Sequence, residues 1–263
     1  DCNQMASTDR IPTVGVIPAR FASTRYAEKV LKPLHGKTVV ERVWRQAKKA
    51  KLLDEVYIAT DDERIAKVVE SFGGKYIMTS TECETGSDRI CECLPKLDSK
   101  YKVIVNIQGD EPLVDPEHID ALAELLHKDA GADMGCLITP IRSEEEARNV
   151  NICKIVVDKK GYALYFSRSL IPYPRSSVNF ADQQYRRALG MYSYRREFLA
   201  GWSSLPPSFL SKTESLEQLR VLEAGYKIKT ALVPFAYHGV DTKEDLEDLE
   251  RELNDPQVRA RYD

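Results

Sequence analysis

The chain has 263 residues, of which 43% are hydrophobic and 30% charged, and this composition suits one large α/β domain or one domain with an insertion. A net charge of −3 argues against a protein that binds nucleic acid through general charge attraction, so an anionic ligand needs a local cluster of cations. The apolar runs are too short for a transmembrane helix, the first ten residues lack a signal-peptide core, and the six cysteines lack zinc-site spacing, so we expect a cytoplasmic protein with free thiols.

The first predicted strand, 14–18, runs into a loop rich in cations and hydroxyl groups. A helix is predicted from about Thr38, and the loop between them carries Arg20, Ser23, Thr24, Arg25 and Lys29. Open α/β sheets bind ligands at the carboxyl ends of their strands. Arginine forks and a lysine point charge both match phosphate oxygens, so this loop predicts a site for the phosphates of a nucleoside triphosphate.

Strands and helices then alternate as far as residue 150. The hydrophobic pattern predicts strands over 55–59, 75–78 and 102–107, and helices over 39–50, 64–72, 86–97 and 116–126. The acidic segment 60–63 is expected to cap the second helix, and Pro95 is expected to end or kink the third. This order predicts an α/β fold with a mostly parallel sheet and helices on both faces.

The pattern changes after residue 150. Segments 152–157 and 162–166 predict a hairpin, a polar loop covers 171–186, and 189–194 predicts a further strand. The remainder predicts a helix over 215–224, a strand over 227–233 and a final helix over 242–254. We therefore divide the chain into a nucleotide-binding α/β core, 12–150 with 206–255, and an antiparallel insertion of strands and a loop over 151–205.

Two aspartates follow strands of the predicted sheet. Asp110 lies in Gln-Gly-Asp-Glu-Pro, just after the strand 102–107, and Asp241 lies in His-Gly-Val-Asp-Thr, before the last helix. Mg²⁺ prefers carboxylate and phosphate oxygens, so both aspartates on one rim would make a metal site. Taken singly, Asp110 also suits a turn and Asp241 also suits a helix N-cap.

Three further groups are candidates for contacts with a substrate. The polar loop 79–89 suits the edge of a base, with a solvated loop as the alternative. Arg168 follows an apolar segment and suits a bidentate contact to a carboxylate, with a surface position as the alternative. Glu217 and Gln218 lie on a predicted helix, where an exposed polar face is the simpler interpretation.

These stretches, in this order, resemble the 3-deoxy-manno-octulosonate (Kdo) cytidylyltransferases over about 13–250. The matching segments are 17–25, 59–63, 78–80, 86–89, 105–112, 161–168, 216–222 and 239–242. The Tyr-Ala-Leu-Tyr-Phe-Ser-Arg run at 162–168 separates this family from the related sialic acid cytidylyltransferases. The resemblance implies a Rossmann-like nucleotidyltransferase core and a homodimer formed largely through the inserted region. It also implies transfer of CMP from CTP to Kdo with Mg²⁺ as cofactor, in lipopolysaccharide or related glycan synthesis.

The resemblance further implies a role for each site residue. Lys29 and Asp110 are catalytic, and Asp110 and Asp241 bind Mg²⁺. Substrates contact Arg20, Ser23, Arg25, Thr79, Ser80, Arg89, Gln108, Arg168, Tyr192, Glu217 and Gln218. Within that set the loop cations hold the triphosphate, the loop 79–89 holds cytosine and ribose, and the sugar acid faces Gln108, Arg168, Tyr192, Glu217 and Gln218.

Two positions depart from the family pattern. The family has glycine where this chain has Glu28, and histidine where this chain has Ala188. Glycine permits a positive φ and a close approach to a phosphate, whereas Glu28 adds negative charge beside a polyanion. Two alternatives follow: a cytidylyltransferase for another sugar acid, such as amino-Kdo or a sialate, and a catalytically impaired homologue that acts as a binding partner.

Overall fold

One nine-stranded sheet forms the centre of the protein in a computed structural model, which describes residues 10–22, 26–83, 85–182, 184–236 and 239–263. A separate two-stranded hairpin is formed by β2 and β3. The strands are β1 Thr13–Ala19, β2 Pro33–Leu34, β3 Lys37–Thr38, β4 Glu55–Thr60, β5 Lys75–Met78, β6 Val103–Asn106, β7 Met134–Pro140, β8 Lys154–Val157, β9 Ala163–Ser167, β10 Arg186–Arg195 and β11 Ile228–Leu232.

The main sheet is mostly parallel. Its strand order is β11-β7-β10-β6-β1-β4-β5, with the β8–β9 hairpin attached to β10. β11 is parallel to β7, and β6, β1, β4 and β5 are parallel to one another in turn. β10 is antiparallel to both β6 and β7. These pairings confirm the expected α/β sheet with a smaller antiparallel part.

β10 lies inside the main sheet, although the sequence places it in the inserted region. Leu189 and Met191 are buried in one core, and Tyr192 and Tyr194 are buried in the other. Because successive strand residues point to opposite faces, a strand with apolar residues on both faces is stable only between two neighbours. The boundaries 151–205 of an inserted domain stay a prediction.

Helices cover both faces of the sheet, so alternate residues of its strands are buried in two separate cores. In β6, Val103 and Val105 belong to one core and Ile104 to the other. The helices are α1 Val39–Lys49, α2 Glu63–Ser71, α3 Gly86–Cys93, α4 Pro116–Lys128, α5 Glu144–Arg148, α6 Arg196–Ala200, α7 Phe209–Glu214, α8 Gln218–Glu223, α9 Lys243–Glu252 and α10 Pro256–Tyr262.

The observed elements differ from the predicted ones in several places, and α5, α6, α10 and the β2–β3 hairpin were not predicted. α3 ends at Cys93 and continues as one 3₁₀ turn, Leu94–Lys96, because Pro95 has no N–H to continue the helix. The helix predicted over 215–224 begins only at Gln218, since Ser215 has a φ of 53° and ends a short helix, α7, that the sequence pattern did not reveal. β7 is also absent from the predicted elements, although it is buried along its length.

No helix in the described part of the chain is both long and apolar enough to cross a membrane. The described cysteines are free thiols: Cys83, Cys91, Cys93, Cys136 and Cys153.

Candidate active site

A cleft of about 860 Å³ opens where β1 and β6 end. Parallel strands place their carboxyl ends at one edge of the sheet, so the loops after β1 and β6 face each other there. β10 extends past this edge, because Tyr192 pairs with Asn106, the last residue of β6. The cleft is lined by Arg20, Lys29, Cys83, Thr85, Gly86, Arg89, Gln108, Gly109, Asp110, Glu111, Arg187, Gly190, Asp241 and Asp245, among others.

Lys29 joins the two predicted metal ligands in the middle of the cleft. Its Nζ donates to Asp110 Oδ2 at 2.6 Å and to Asp241 Oδ1 at 2.9 Å. Burial alone would lower the pKa of Lys29, but Asp110 and Asp241 outweigh burial and raise this pKa above its usual 10.5. Three side chains from distant parts of the sequence thus form one compact charged group.

Local backbone structure directs the two aspartates into the cleft. A Cβ on Gly109 would lie 2.4 Å from the carbonyl oxygen of Pro18, so only glycine lets the loop after β6 pack this closely against β1. Asp241 is not the N-cap of α9, the alternative interpretation of this residue. Thr242 caps α9 in a capping box with Asp245, and the carboxylate of Asp241 contacts Lys29.

Arg89 forms one end of the cleft and is held from three sides. Its guanidinium pairs with Asp61 at 2.8 Å, donates to Thr79 Oγ1 at 2.5 Å, and donates to the carbonyl oxygen of Ser80 at 3.4 Å. The side chains of Arg89 and Asp61 are 3% and 10% exposed, so this ion pair is buried. Thr79 and Ser80 do not line the cleft themselves and instead position Arg89.

Gln108, Glu111 and Arg187 also line the cleft. Gln108 donates to the carbonyl oxygen of Gly190 at 2.6 Å, within a register shift of β10 between Ala188 and Tyr192. Burial and the neighbouring Asp110 raise the pKa of Glu111 to about 8. Buried Glu111 Oε2 and Arg187 Nε have no hydrogen-bond partner in the described structure.

The other residues expected to face the sugar acid do not line the cleft. Tyr192 is buried in the core. Glu217 accepts from the Ser87 hydroxyl at 2.8 Å, and burial raises the pKa of Glu217. Gln218 donates to Cys153 Sγ at 3.5 Å. Glu217 and Gln218 are therefore not part of an exposed polar face.

Arg168 is partly buried and does not line the cleft. Its guanidinium donates to three carbonyl oxygens, at 2.6 Å to Glu214, 3.1 Å to Val150 and 3.2 Å to Ser215. These contacts connect β9 to α7. The bidentate contact of Arg168 to a substrate carboxylate stays a prediction. Ser23 and Arg25, together with Thr24 and His238, lie outside the described residues.

The structure describes both positions that depart from the family pattern, Glu28 and Ala188. Glu28 has a φ of 58° and a ψ of 20°, the left-handed conformation for which glycine is preferred, and it directly precedes the 3₁₀ turn Lys29–Leu31. Its charge interacts with Arg64 outside the cleft. Ala188 donates its N–H to the carbonyl oxygen of Cys153 at 2.9 Å and packs against the core.

Sequence reasoning did not identify Asp61, Glu111 or Arg187 as site residues. Asp61 lies in a segment to which only helix capping was assigned, and Asp62 is the residue that caps α2. Glu111 directly follows the metal-ligand candidate Asp110, so its place in the Gln-Gly-Asp-Glu-Pro segment was the available signal. Arg187 carried no signal, because the pairing of β10 with β6 and β7, which extends β10 past the sheet edge, is a tertiary feature.

The fold and its charged cleft are those of a nucleotidyltransferase. Residues 14–228 match the cytidylyltransferase family. The 3-deoxy-manno-octulosonate cytidylyltransferase of Zea mays is 46% identical over 92% of this chain and 80% of its own length. The enzyme of that name from Syntrophotalea carbinolica is 45% identical over 90% of this chain and 97% of its own length.

A solved structure of CMP:2-keto-3-deoxy-manno-octonic acid synthetase complexed with CTP superimposes with a TM-score of 0.87. It is 38% identical in sequence and covers 92% of this chain and 98% of its own. The chain belongs to the 3-deoxy-manno-octulosonate cytidylyltransferase family.

Proposed function

We propose that the protein transfers CMP from CTP to the anomeric hydroxyl of Kdo, releasing pyrophosphate. The observation that carries this proposal is the meeting of Lys29, Asp110 and Asp241 in one cleft. Transfer of a nucleotidyl group requires the reacting groups to be positioned and the negative charge of the phosphates to be neutralised. A cleft with a cationic rim and two central carboxylates supplies both.

The cations of the cleft suit the phosphates of CTP. Arg20 and Lys29 line the cleft beside the carboxylates, and each carries donors for phosphate oxygens. Arg89 lies at the end of the cleft assigned to cytosine and ribose, and Thr79 and Ser80 hold it there. Ser23 and Arg25 complete the proposed phosphate loop on the grounds of the family resemblance.

Asp110 and Asp241 fit Mg²⁺. Both offer hard carboxylate oxygens, and the ammonium group of Lys29 shows that one cation can reach an oxygen of each. No group of three or more His, Cys, Asp or Glu side chains able to hold a metal occurs in the part of the chain described, so phosphate oxygens and water would supply the other ligands. Bound there, Mg²⁺ would lower the pKa of the attacking hydroxyl and shield the leaving pyrophosphate.

The sugar acid is proposed to bind beside Gln108 and Asp110. Gln108 lines the cleft directly, and Glu217 accepts from Ser87, the neighbour of the cleft residue Gly86. Tyr192 and Gln218 are included on the grounds of the family resemblance. Buried Glu217 Oε2 has no hydrogen-bond partner among the described residues, so a sugar hydroxyl is a suitable partner. Arg168 would have to exchange carbonyl oxygens for the substrate carboxylate in order to take part.

We also propose that the protein is a homodimer in the cytoplasm and that its product, CMP-Kdo, is used in lipopolysaccharide or related glycan synthesis. Large apolar side chains in the proposed inserted region are exposed, including Leu164 at 61% and Tyr173 at 80%. Such side chains suit a partner surface. The net charge of −3 argues against a nucleic-acid partner.

The test is pyrophosphate release from CTP and Mg²⁺ with each sugar acid in turn. Release with Kdo supports the proposal, and release only with amino-Kdo or a sialate would assign a different acceptor, as Ala188 in place of the family histidine suggests. Binding of CTP without release would point to an impaired homologue. Asp110→Asn is expected to abolish release while circular dichroism shows an intact fold, and unchanged turnover would remove Asp110 from the reaction.

A further inference from the structure

Lys29 occupies the position between two carboxylates that a metal ion would take. Its Nζ lies 2.6 Å from Asp110 Oδ2 and 2.9 Å from Asp241 Oδ1, and only 14% of its side chain is exposed. An ammonium group at these distances makes a charge-assisted hydrogen bond to each carboxylate. A metal ion that binds both oxygens has to displace this ammonium group, so Lys29 and the metal compete for the same pair of ligands.

The same lysine also faces the space proposed for a triphosphate. Lys29 and Arg20 line one cleft, and phosphate oxygens compete with Asp110 and Asp241 for the ammonium group. If Lys29 moves to a phosphate, the two carboxylates lose their shared counter-ion. Like charges at such short range repel each other, and a divalent cation relieves that repulsion.

We infer that Lys29 is a resident counter-ion that makes metal binding depend on nucleotide binding. The free protein holds Lys29 between Asp110 and Asp241 and binds a divalent metal weakly. A triphosphate draws Lys29 away and opens the carboxylate pair to the metal. By linkage, metal and nucleotide then tighten each other's binding by the same factor. The identity of the nucleotide rests on the proposed function, whereas the competition between Lys29 and a metal does not.

The test measures Mn²⁺ binding to the protein without any nucleotide, by the electron paramagnetic resonance signal of free Mn²⁺. Lys29→Met is expected to bind Mn²⁺ at least about tenfold more tightly than the wild type, because the metal no longer displaces two charge-assisted hydrogen bonds. Arg20→Met is the matched control, since it removes one positive charge from the same cleft but keeps the two hydrogen bonds from Lys29 to the carboxylates. It is expected to change the affinity less than about threefold.

Unchanged or weaker Mn²⁺ binding by Lys29→Met overturns the inference. An equal gain in Arg20→Met also overturns it, because general electrostatics would then explain the effect. Adding Asp110→Asn to Lys29→Met should remove the gain, which places the metal at this pair of carboxylates. Lys29→Gln replaces Lys29→Met if the latter fails to fold, as judged by circular dichroism.

The outcome is separable from that of the proposed function. Normal pyrophosphate release by the wild type, together with an unchanged Mn²⁺ affinity in Lys29→Met, would leave the proposed function and remove the coupling. Tighter Mn²⁺ binding in Lys29→Met, together with no pyrophosphate release by the wild type with any sugar acid, would support the competition and count against the proposed reaction.

Discussion

Removing Asp61 is expected to destabilise the protein strongly, although Asp61 contacts no predicted substrate. Asp61→Ala leaves the guanidinium of Arg89, 3% exposed, without its carboxylate partner. Among the described residues, only Thr79 Oγ1 and the carbonyl oxygen of Ser80 still accept from Arg89. Breaking a buried ion pair from one side costs about 3–5 kcal/mol, because an uncompensated charge stays in a medium of low polarity.

The size of the loss is measurable by urea denaturation and by thermal melting. A loss of about 3–5 kcal/mol corresponds to a fall in Tm of roughly 6–20 °C for a domain of this size. Asp62→Ala is the matched control: Asp62 is the next residue, and its partner Arg64 is 62% exposed. That pair is screened by solvent, so the control is expected to lose only about 1 kcal/mol, mainly the N-cap of α2.

A double-mutant cycle with Arg89→Met separates the ion pair from other effects. The double variant Asp61→Ala, Arg89→Met leaves no unpaired charge, so its loss is expected to be much smaller than the two single losses added together. A loss below about 1 kcal/mol in Asp61→Ala, or strictly additive losses in the cycle, would refute the description of Arg89 as a buried, compensated cation. In the variants of this cycle the affinity for the nucleotide should fall together with the stability, since Arg89 lines the cleft.

Two further predictions concern Glu217 and Glu28. Burial raises the pKa of Glu217 in the folded protein. Between the unfolded and folded pKa values, the folded protein therefore holds a proton that the unfolded chain has released. The contribution of Glu217 to the free energy of unfolding decreases as pH rises from about 4.5 through the folded pKa. Glu217→Gln lacks this titration, and its Tm relative to the wild type is expected to increase from pH 5 to pH 8; parallel curves would contradict the buried position. At Glu28, with a φ of 58°, Glu28→Gly is expected to be about 1 kcal/mol more stable in urea than Glu28→Ala, because only alanine keeps the Cβ that disfavours this conformation. A less stable glycine variant would show that the left-handed conformation is not strained.

Local patterns were sufficient for much of the fold. Apolar residues at helical spacing predicted α1, whose buried face includes Val39, Val40, Val43 and Ala47. β7 and α7 were missed for different reasons. β7 is buried throughout and lacks the alternation that marks a half-buried strand, and α7 is a short helix with no buried residue. The central place of β10 depends on pairing between distant segments, which periodicity does not record.

The sequence by itself determined the kinds of group available for chemistry. A strand followed by Arg20 and Lys29 indicates phosphate binding, and Gln-Gly-Asp-Glu-Pro after a buried strand indicates an acidic ligand, because the residue types carry these properties wherever they lie. The glycine in that segment is also a local requirement, since its loop packs directly on β1.

Only the tertiary structure decided which groups meet. Lys29 is separated by 81 residues from Asp110 and by 212 from Asp241, yet one sheet edge brings all three within hydrogen-bond distance. The same packing buried Glu217 and directed Arg168 to backbone carbonyls. Side-chain chemistry is encoded residue by residue, whereas distance, burial and partner choice follow from the pairing of strands far apart in the chain.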